Sequence, residues 1–319
     1  MKSISAITIV LILMLPIPWL VQSEFFLNFA IMLLFSAFLG QSWNMLGGYG
    51  GQFSFGHAAF FGTGAYATAV LQTAFGINPW VGFVLAGLAG AGMGLVVGFL
   101  SFRFGLKGAY FALVTLAFAE VLRILANTAD FTGAGVGILI PLDQGAANLQ
   151  FPDKTGFYVL ALALVALGLF ITAHLDNSRF GARLMAVREN EDAARASGVN
   201  VFEIKLRAIA LSGSLAGLAG AFYTQYFLYL DPTIAYGPAV SIEALLVPII
   251  GGTGTLFGPL LGAAALHTIS EIAQHVAADA PGLNLVVYGV LLVLMVLFLP
   301  SGLWGLATRL RRRKIDLSE

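Results

Sequence analysis

The stretch GGYGGQFSFGHAAFFGTGAYA, residues 47–67, interrupts a chain that is otherwise dominated by apolar side chains. Seven of its positions are glycine, and the polar residues Gln52, Ser54 and His57 stand among them. Within a membrane, backbone outside a helix is tolerated only where protein or a water-filled cavity satisfies its N–H and C=O groups. We therefore predict a re-entrant or discontinuous segment that faces a central pathway. An ordinary cytoplasmic turn between two spans is the alternative.

The composition of the whole chain is that of a membrane protein. Of its 319 residues, 59% are hydrophobic and 10% are charged, and the mean hydropathy is +0.89. A soluble domain has about 25% charged residues. The net charge is zero and no basic block is large enough to suggest nucleic-acid binding. The absence of cysteine excludes disulfides and thiolate metal sites.

Ten apolar segments predict an all-α, polytopic membrane helix bundle, since a span needs about 20 apolar residues. They are residues 5–21, 25–46, 55–75, 79–100, 109–127, 156–174, 208–230, 239–250, 259–276 and 283–303. The first is long and lacks a cleavage site, so we expect an uncleaved span.

Lysine and arginine mark the cytoplasmic side of a membrane protein when they lie in short loops. Here they collect at Lys2, at Arg103 and Lys107, at residues 179–207 and at residues 309–314. Alternating spans that begin inside satisfy these positions, so both termini are predicted to be cytoplasmic. We expect a permease-like transmembrane domain at residues 1–307, which includes a cytoplasmic loop at 176–207, and a basic tail at 308–319.

Glycines at helical spacing predict close contact between helices. Gly90, Gly94 and Gly98 fall on one face, and Gly213 and Gly217 repeat the spacing. Small residues at this period let helix backbones approach each other closely. Incidental glycine in a glycine-rich chain is the alternative.

A second glycine-rich stretch, GGTGTLFGPLLGAAA at residues 251–265, is similar to the first. Interrupted helices at matching places in two halves of a chain indicate a translocation pathway. We therefore predict two glycine-broken segments in an internal repeat. The predicted pathway residues are Asn44, Gly47, Gly48, Gln52, Ser54, His57, Glu243, Gly251, Gly252 and Gly254.

Charged residues inside apolar runs are costly in a membrane and indicate specific roles. Glu120 and Arg123 share a helix face, so we predict a structural ion pair. Glu243 has no local partner and is a candidate pathway residue, although a role in bracing helices stays open. A packing role for His57 is favoured over a proton relay, because no carboxylate is near it in the sequence.

No enzyme motif is present. The chain lacks a G-x-x-x-x-G-K-[ST] phosphate loop, a dinucleotide fingerprint and an H-E-x-x-H metal pattern. We therefore predict that this chain catalyses no reaction and itself binds no cofactor or metal.

The largest polar segment lies in the loop at residues 176–207 and predicts an amphipathic helix over residues 182–196. Leu184, Val187 and Ala194 form its apolar stripe, and Gly198 follows where a helix C-terminal cap is expected. Such a helix is either a docking surface for a partner or a solvated connector.

At these positions the chain resembles a known family, the LivM-type permease subunits of bacterial branched-chain amino acid ABC importers. The resemblance rests on SWNMLGGYGGQFSFGHAAFFGTGAYATAVL, TLAFAEVLRILAN, GARLMAVRENEDAARASGVNVFEIKLRAIALSGSLAGLAGA and SIEALLVPIIGGTGTLFGPLLGA, which occur in family order. It implies ATP-driven alternating access that moves branched-chain or similar amino acids across the inner membrane into the cytoplasm.

The resemblance also implies partners. They are a homologous second permease subunit, two cytoplasmic ATPase subunits that hydrolyse ATP, and a periplasmic solute-binding protein. By the same likeness, the ATPase would contact Arg188, Glu189, Asn190, Glu191, Asp192 and Ala193.

One departure concerns the substrate. The family often has Thr-Gly-Gly-x-x-Gly in an outer loop, where this chain has TGAGVG at residues 132–137, with Ala134 at the second glycine. Related permeases for urea, short amides or nucleosides therefore stay open. An alternative from another class is a stand-alone secondary transporter that moves protons through His57, Glu120 or Glu243.

Overall fold

The computed structural model describes residues 2–21 and 23–276, together with residues 286, 289, 290, 293, 297 and 302–305. Within residues 2–276, thirteen α-helices form the bundle: α1 (Lys2–Met14), α2 (Ile17–Leu20), α3 (Glu24–Trp43), α4 (His57–Phe75), α5 (Pro79–Arg103), α6 (Gly108–Thr128), α7 (Lys154–Asp176), α8 (Arg179–Glu189), α9 (Glu191–Ala196), α10 (Val201–Phe227), α11 (Pro232–Tyr236), α12 (Pro238–Gly251) and α13 (Gly258–Val276). A π-helical turn, Asn44–Tyr49, extends α3, and two short strands, β1 (Ile138–Leu139) and β2 (Tyr229–Leu230), pair antiparallel.

Six helical segments in the described part are long and apolar enough to cross a membrane: Glu24–Tyr49, Pro79–Arg103, Gly108–Thr128, Lys154–Asp176, Val201–Phe227 and Pro232–Gly251. Each segment predicted before residue 277 coincides with a helix, so the polytopic all-α class is confirmed. The segment at 283–303 falls mainly outside the described residues, and the tail at 308–319 lies wholly outside them.

Helix α10 begins earlier than its apolar run predicts. It starts at Val201, because Asn200 caps its first turn by accepting a hydrogen bond from Glu203 N at 3.2 Å. Its buried lysine, Lys205, is neutralised by Glu191. The cap and the ion pair therefore stabilise helix over residues 201–207, a charged stretch that the hydropathy pattern left out of the predicted span.

Ion pairs between loops show which loops lie at the same end of the bundle. At one, Lys107 lies 2.9 Å from Glu191, which joins the α5–α6 loop to the loop before α10; we call this the basic end. At the opposite end, Lys154 lies 3.0 Å from Glu24. Loops that the charge pattern predicts to share a side therefore lie at the same end. Which end faces the cytoplasm stays a prediction.

Among the described residues, helices α5 and α10 make the most extensive contact between spans, which we call the α5–α10 contact. A Cβ added at Gly90 would clash with the carbonyl oxygen of Gly213, and one added at Gly94 would lie 2.7 Å from Ile209 O. The predicted close packing is confirmed. The glycine face of α5 packs against the glycine face of α10. The spacing of glycines within each helix did not predict that these two helices would be partners.

Helix α3 lies in the centre of the bundle and packs against α7, α10, α12 and α13. Its residues Leu34, Phe38 and Trp43 are buried, and Phe35 stacks on Phe222 of α10 at 6.0 Å. Because α3 is surrounded by helices, the irregular chain that follows it is held inside protein.

Candidate translocation site

The first glycine-rich stretch forms a break between helices, which we call the first break and define as residues 44–56. After the π-helical turn the chain is non-helical over residues 50–56, and α4 begins at His57. Ser54 is fully buried, and Gly56 packs against the carbonyl of Thr115, which lies about 10 Å along α6 at 1.5 Å per residue. The chain therefore returns into the bundle before helix resumes. The segment is an irregular connection that lies partly inside the bundle, and its place on a translocation pathway stays a prediction.

The polar groups of the first break are satisfied by protein. Trp43 Nε1 donates to Ser54 O at 2.8 Å, and Phe55 N donates to Thr115 Oγ1 at 3.1 Å. The buried Gln52 side chain donates at 3.1 Å to a backbone carbonyl of the same segment. These bonds offset the cost of burying non-helical backbone inside the bundle.

The second glycine-rich stretch forms the second break, residues 251–258, between α12 and α13. Its backbone enters left-handed φ values at Gly252 (+127°) and Gly254 (+69°). Asn44 of the first break contacts it directly: Asn44 Oδ1 accepts from Gly254 N at 2.7 Å, and Asn44 Nδ2 donates to Thr255 O at 3.1 Å. The structure thus brings the two breaks together, although the predicted internal repeat stays unconfirmed.

Three predicted pathway glycines lie at tight contacts. A Cβ at Gly48 would lie 2.6 Å from Gly254 N, and one at Gly47 would clash with the ring of Trp43. One at Gly251 would lie 2.7 Å from Gly262 N of α13. No larger side chain fits these positions without moving a neighbour.

His57 is fully buried at the start of α4. Its Nε2 lies 2.9 Å from Ser212 Oγ, and that hydroxyl donates to Ser42 O at 2.6 Å. Because the Ser212 hydroxyl hydrogen is donated to Ser42 O, the Ser212 oxygen acts as the acceptor and His57 Nε2 donates to it. Among the described residues, His57 Nδ1 has no hydrogen-bond partner, and the contacts of the ring are those of a packed, neutral side chain.

Glu243 does not lie with the breaks. It stands eight residues before Gly251, which is about 12 Å along α12. Ser36 Oγ of α3 donates to its carboxylate, and the same hydroxyl lies 2.7 Å from His267 Nε2 of α13. Glu243 therefore links three helices. The partners Ser36 and His267 were missed, because they lie far away in the sequence and nothing in their local pattern marks them.

Glu120 and Arg123 form a bidentate ion pair on α6, with Arg123 Nε 2.8 Å and Nη2 2.6 Å from the two carboxylate oxygens. Both side chains are partly exposed, and neither contacts the breaks. Their mutual neutralisation lowers the cost of charge on a span.

The loop at residues 176–207 contains two helices, so the predicted single helix over residues 182–196 is wrong. Helix α8 begins earlier, at Arg179, and Asn190 adopts an extended conformation (φ −159°) that ends it. Asn190 Oδ1 then caps α9 by accepting from Asp192 N and Ala193 N, both at 3.0 Å. A strong N-cap residue within the periodic stretch was the signal for this division.

The predicted apolar stripe of the loop is buried against the bundle. Leu184 and Val187 are each 1% exposed, and Ala194 is buried. Gly198 has φ +83° and follows Ser197, the C-cap residue of α9. The loop helices are thus anchored on the basic end.

Of the six residues predicted to contact an ATPase, all but Glu191 are exposed, and the contact itself stays a prediction. Glu189 and Asp192 point outward, with 79% and 80% of their side chains exposed. Glu191 points inward and is bound by Lys205 and Lys107. Burial raises the pKa of Glu191, but hydrogen bonds from these two lysines outweigh it and hold the pKa below its usual value.

Arg188 is exposed, but its guanidinium reaches the first break. Its Nη1 donates to Gly48 O of the first break at 2.7 Å. Residues Asn190 and Ala193 take part in the cap of α9, so among the six only Glu189 and Asp192 present highly exposed charges at the basic end.

A large cavity lies near the opposite end, among α4, α6 and the loop after α6. Its volume is about 680 Å³, and its walls include Tyr66, Leu122, Phe131 and Tyr236. No charged side chain lines it, so it offers no ionic partner to the ammonium or carboxylate group of an amino acid. It is separate from the breaks.

Comparisons with known proteins identify the family. Residues 25–296 match the family model described as "Branched-chain amino acid transport system / permease component". The chain is 30% identical to the high-affinity branched-chain amino acid transport system permease protein LivM of Salmonella typhimurium, over 92% of this chain and 73% of that protein.

Two archaeal relatives from Methanocaldococcus jannaschii also match. The probable permease protein LivM is 26% identical over 78% of this chain and 77% of its own length. The probable permease protein LivH is 25% identical over 83% and 87%. With a family match over most of its length, the chain belongs to the permease components of branched-chain amino acid transport systems.

Proposed function

We propose that this chain is the permease subunit of an ATP-driven importer that moves branched-chain or similar amino acids into the cytoplasm by alternating access. The observation that carries the proposal is the pair of broken helices joined by Asn44 at the end that also bears α8 and α9. Broken helices provide backbone groups that can exchange partners. An adjacent exposed loop provides a place where a partner can act on them.

The proposed assembly contains a homologous second permease subunit, two cytoplasmic ATPase subunits and a periplasmic solute-binding protein. The relatives named LivM and LivH, both permease proteins of one organism, support pairing of two related permeases. ATP is bound and hydrolysed by the partners, since this chain has no phosphate-binding loop.

The proposed location is the bacterial inner membrane, with both termini in the cytoplasm. Support comes from the basic end, where Lys107 and Lys205 meet Glu191. Positively charged loops are retained on the cytoplasmic side. On this orientation, Glu189 and Asp192 face the cytoplasmic ATPases.

In the proposed cycle, ATP binding closes the ATPases and displaces α8 and α9. The breaks then exchange contacts and open a path between the two permeases toward the other side. The loaded binding protein and ATP must favour different permease states, because a ligand with equal affinity for both states shifts nothing.

The alternatives have less support. A stand-alone proton-coupled transporter requires accessible titrating groups, but His57 is enclosed and Glu243 is held by Ser36. Urea, short amides and nucleosides are not named as substrates of the relatives reported above, whose names specify branched-chain amino acids.

The test is uptake of labelled leucine by proteoliposomes that contain the complete assembly, with and without ATP. Uptake that requires ATP and the loaded binding protein is expected. ATP-independent uptake by this chain alone would overturn the proposal. ATP hydrolysis stimulated by a loaded binding protein, without leucine uptake, would retain the importer and change its substrate.

The docking surface is tested by charge reversal. Asp192→Arg is expected to reduce co-purification of the ATPases about tenfold, since like-charge contacts at an interface cost several kcal/mol. Asp130→Arg, an exposed acidic position near the opposite end, is the matched control and should leave co-purification unchanged. Equal co-purification by both variants would remove Asp192 from the interface.

A further inference from the structure

The side chain of Arg188 leaves α8 and enters the junction of the two breaks. Its Nη1 donates to Gly48 O at 2.7 Å. Gly48 lies in the turn that ends the α3 segment, where backbone carbonyls lack partners within the helix. A cation at a helix C-terminus also interacts favourably with the helix dipole. The contact is therefore a charge-assisted hydrogen bond at a site that favours positive charge.

Arg188 packs against both breaks as well. A Cβ added at Gly51 would lie 2.9 Å from Arg188 Cγ, and a Cβ added at Gly254 would lie 2.7 Å from Arg188 Nη1. Gly51 and Gly254 both have positive φ, at +64° and +69°. One side chain from the loop thus occupies the space between the first break and the second.

Asn44 completes the junction. It belongs to the same π-helical turn as Gly48 and bonds to Gly254 N and Thr255 O. A displacement of Gly48 therefore acts on the second break through Asn44. π-Helical turns within α-helices occur frequently at functional sites, and this turn carries both polar contacts.

Helix α8 has an inner face that packs on the bundle and an outer face that is open to a partner. Leu184 and Val187 hold its inner face on the bundle, whereas Glu189 projects 79% of its side chain outward. The Arg188 side chain is 39% exposed. A partner that contacts the outer face can move α8, and the Arg188 guanidinium moves with it.

On the basis of the proposed function, we infer that Arg188 is a positioning residue that couples the loop at residues 176–207 to the two breaks. Displacement of α8 withdraws the guanidinium from Gly48 O and from the space beside Gly254. The π-helical turn and the second break are then free to exchange contacts. Arg188 touches no solute in this account; it determines when the breaks rearrange.

The experiment uses the complete assembly in proteoliposomes and a single reporter thiol. The chain has no cysteine, so Phe53→Cys introduces its only thiol, at a position of the first break that is 44% exposed. Into this parent we introduce Arg188→Gln, Arg188→Lys and, as a matched control, Arg183→Gln, which changes an exposed arginine of the same helix. Leucine uptake per ATP hydrolysed and the rate of maleimide labelling with and without ATP are measured.

Arg188→Gln is expected to lower uptake per ATP about tenfold, the size of effect that loss of a hydrogen bond to a charged group produces. The ATPases should still co-purify, and labelling of the reporter thiol should no longer depend on ATP. Arg188→Lys should partly restore both readouts, because it keeps the charge and loses the guanidinium fork. Arg183→Gln should match the parent. The lysine variant carries the same test if the glutamine variant does not fold.

The outcomes separate the inference from the proposed function. A parent assembly without ATP-driven uptake overturns the proposed function and, with it, the inference. Parental uptake per ATP and parental thiol labelling in Arg188→Gln overturn the inference alone. Loss of the ATPases from Arg188→Gln also overturns it, because Arg188 would then be a docking residue.

A double-mutant cycle with Asn44→Ala gives an independent check. If Arg188 acts through the π-helical turn, the double variant should be no worse in uptake per ATP than the more impaired single variant, because residues in one network are not additive. Multiplication of the two separate losses would overturn the inference.

Discussion

Glycine serves different purposes in two regions of this bundle. In the α5–α10 contact, Gly90 and Gly213 lie within continuous helices and let two backbones touch. At the breaks, Gly51 and Gly254 adopt positive φ and lie where helix is interrupted. The α5–α10 contact has no room for a side chain at these glycines. The breaks are held by polar contacts from Asn44 and Arg188, which can exchange partners. We therefore expect stability to depend on the first region and rearrangement to occur in the second.

The largest effect on stability is expected in the α5–α10 contact. Gly90→Ala should destabilise the protein by about 2–3 kcal/mol, because overpacking a close contact costs this much. Gly92→Ala is the matched control on the same helix, since no atom lies within 4 Å of its added Cβ. Denaturant unfolding in detergent measures both. Equal stability of the two variants would contradict the packing role of Gly90.

A second prediction concerns the polar anchoring of the loop at the basic end. Glu191→Gln should destabilise the protein by about 2 kcal/mol, because it leaves the buried Lys205 without a charged partner. Asp192→Asn, at an exposed neighbour, should change stability by less than about 0.5 kcal/mol. A similar loss in both variants would show that Glu191 acts only as a surface charge.

The Glu191 contribution should depend on pH. Because the folded state lowers the pKa of Glu191, its stabilisation is present above the unfolded pKa of about 4.3 and is lost as the pH falls through the lower folded value. The stability difference between the parent and Glu191→Gln should therefore be constant near pH 7 and shrink below about pH 4. Unfolding measured across this range checks the sign, and a difference that grows on acidification would refute it.

A third comparison separates backbone strain from the Arg188 contact. Gly254 and Gly76 have similar φ values, +69° and +64°, but only Gly254 lies beside Arg188. Alanine at either position should cost about 1–2 kcal/mol, the usual penalty for left-handed backbone. Only Gly254→Ala should also reduce ATP-driven uptake. Loss of uptake in both variants would assign the effect to strain alone.

The smallest effect is expected in the loop after α6. Ala134 has φ +48°, a conformation that favours glycine. Ala134→Gly should stabilise the protein by about 0.5–1 kcal/mol, because relief of backbone strain exceeds the added entropy of the unfolded chain. The thermal midpoint in detergent measures the change. A lower midpoint would show that Ala134 is held without strain.

The local features of the fold follow from sequence patterns because they depend on near neighbours. Apolar runs predicted the spans, glycine spacing predicted close packing, and Glu120 and Arg123 were predicted to meet because they lie three residues apart on one helix. The division of the loop at Asn190 was missed, since the apolar periodicity of α8 and α9 outweighed the N-cap signal.

By itself, the sequence determined the membrane class, the helices and the two places where helix is broken, since hydropathy and glycine act locally on the backbone. Only the tertiary structure decided which groups meet. Asn44 contacts Gly254, Arg188 contacts Gly48, and Ser36 contacts Glu243, each across more than a hundred residues of chain. These pairs form because helix packing brings distant segments to the same depth and end of the bundle, and no local pattern encodes that placement.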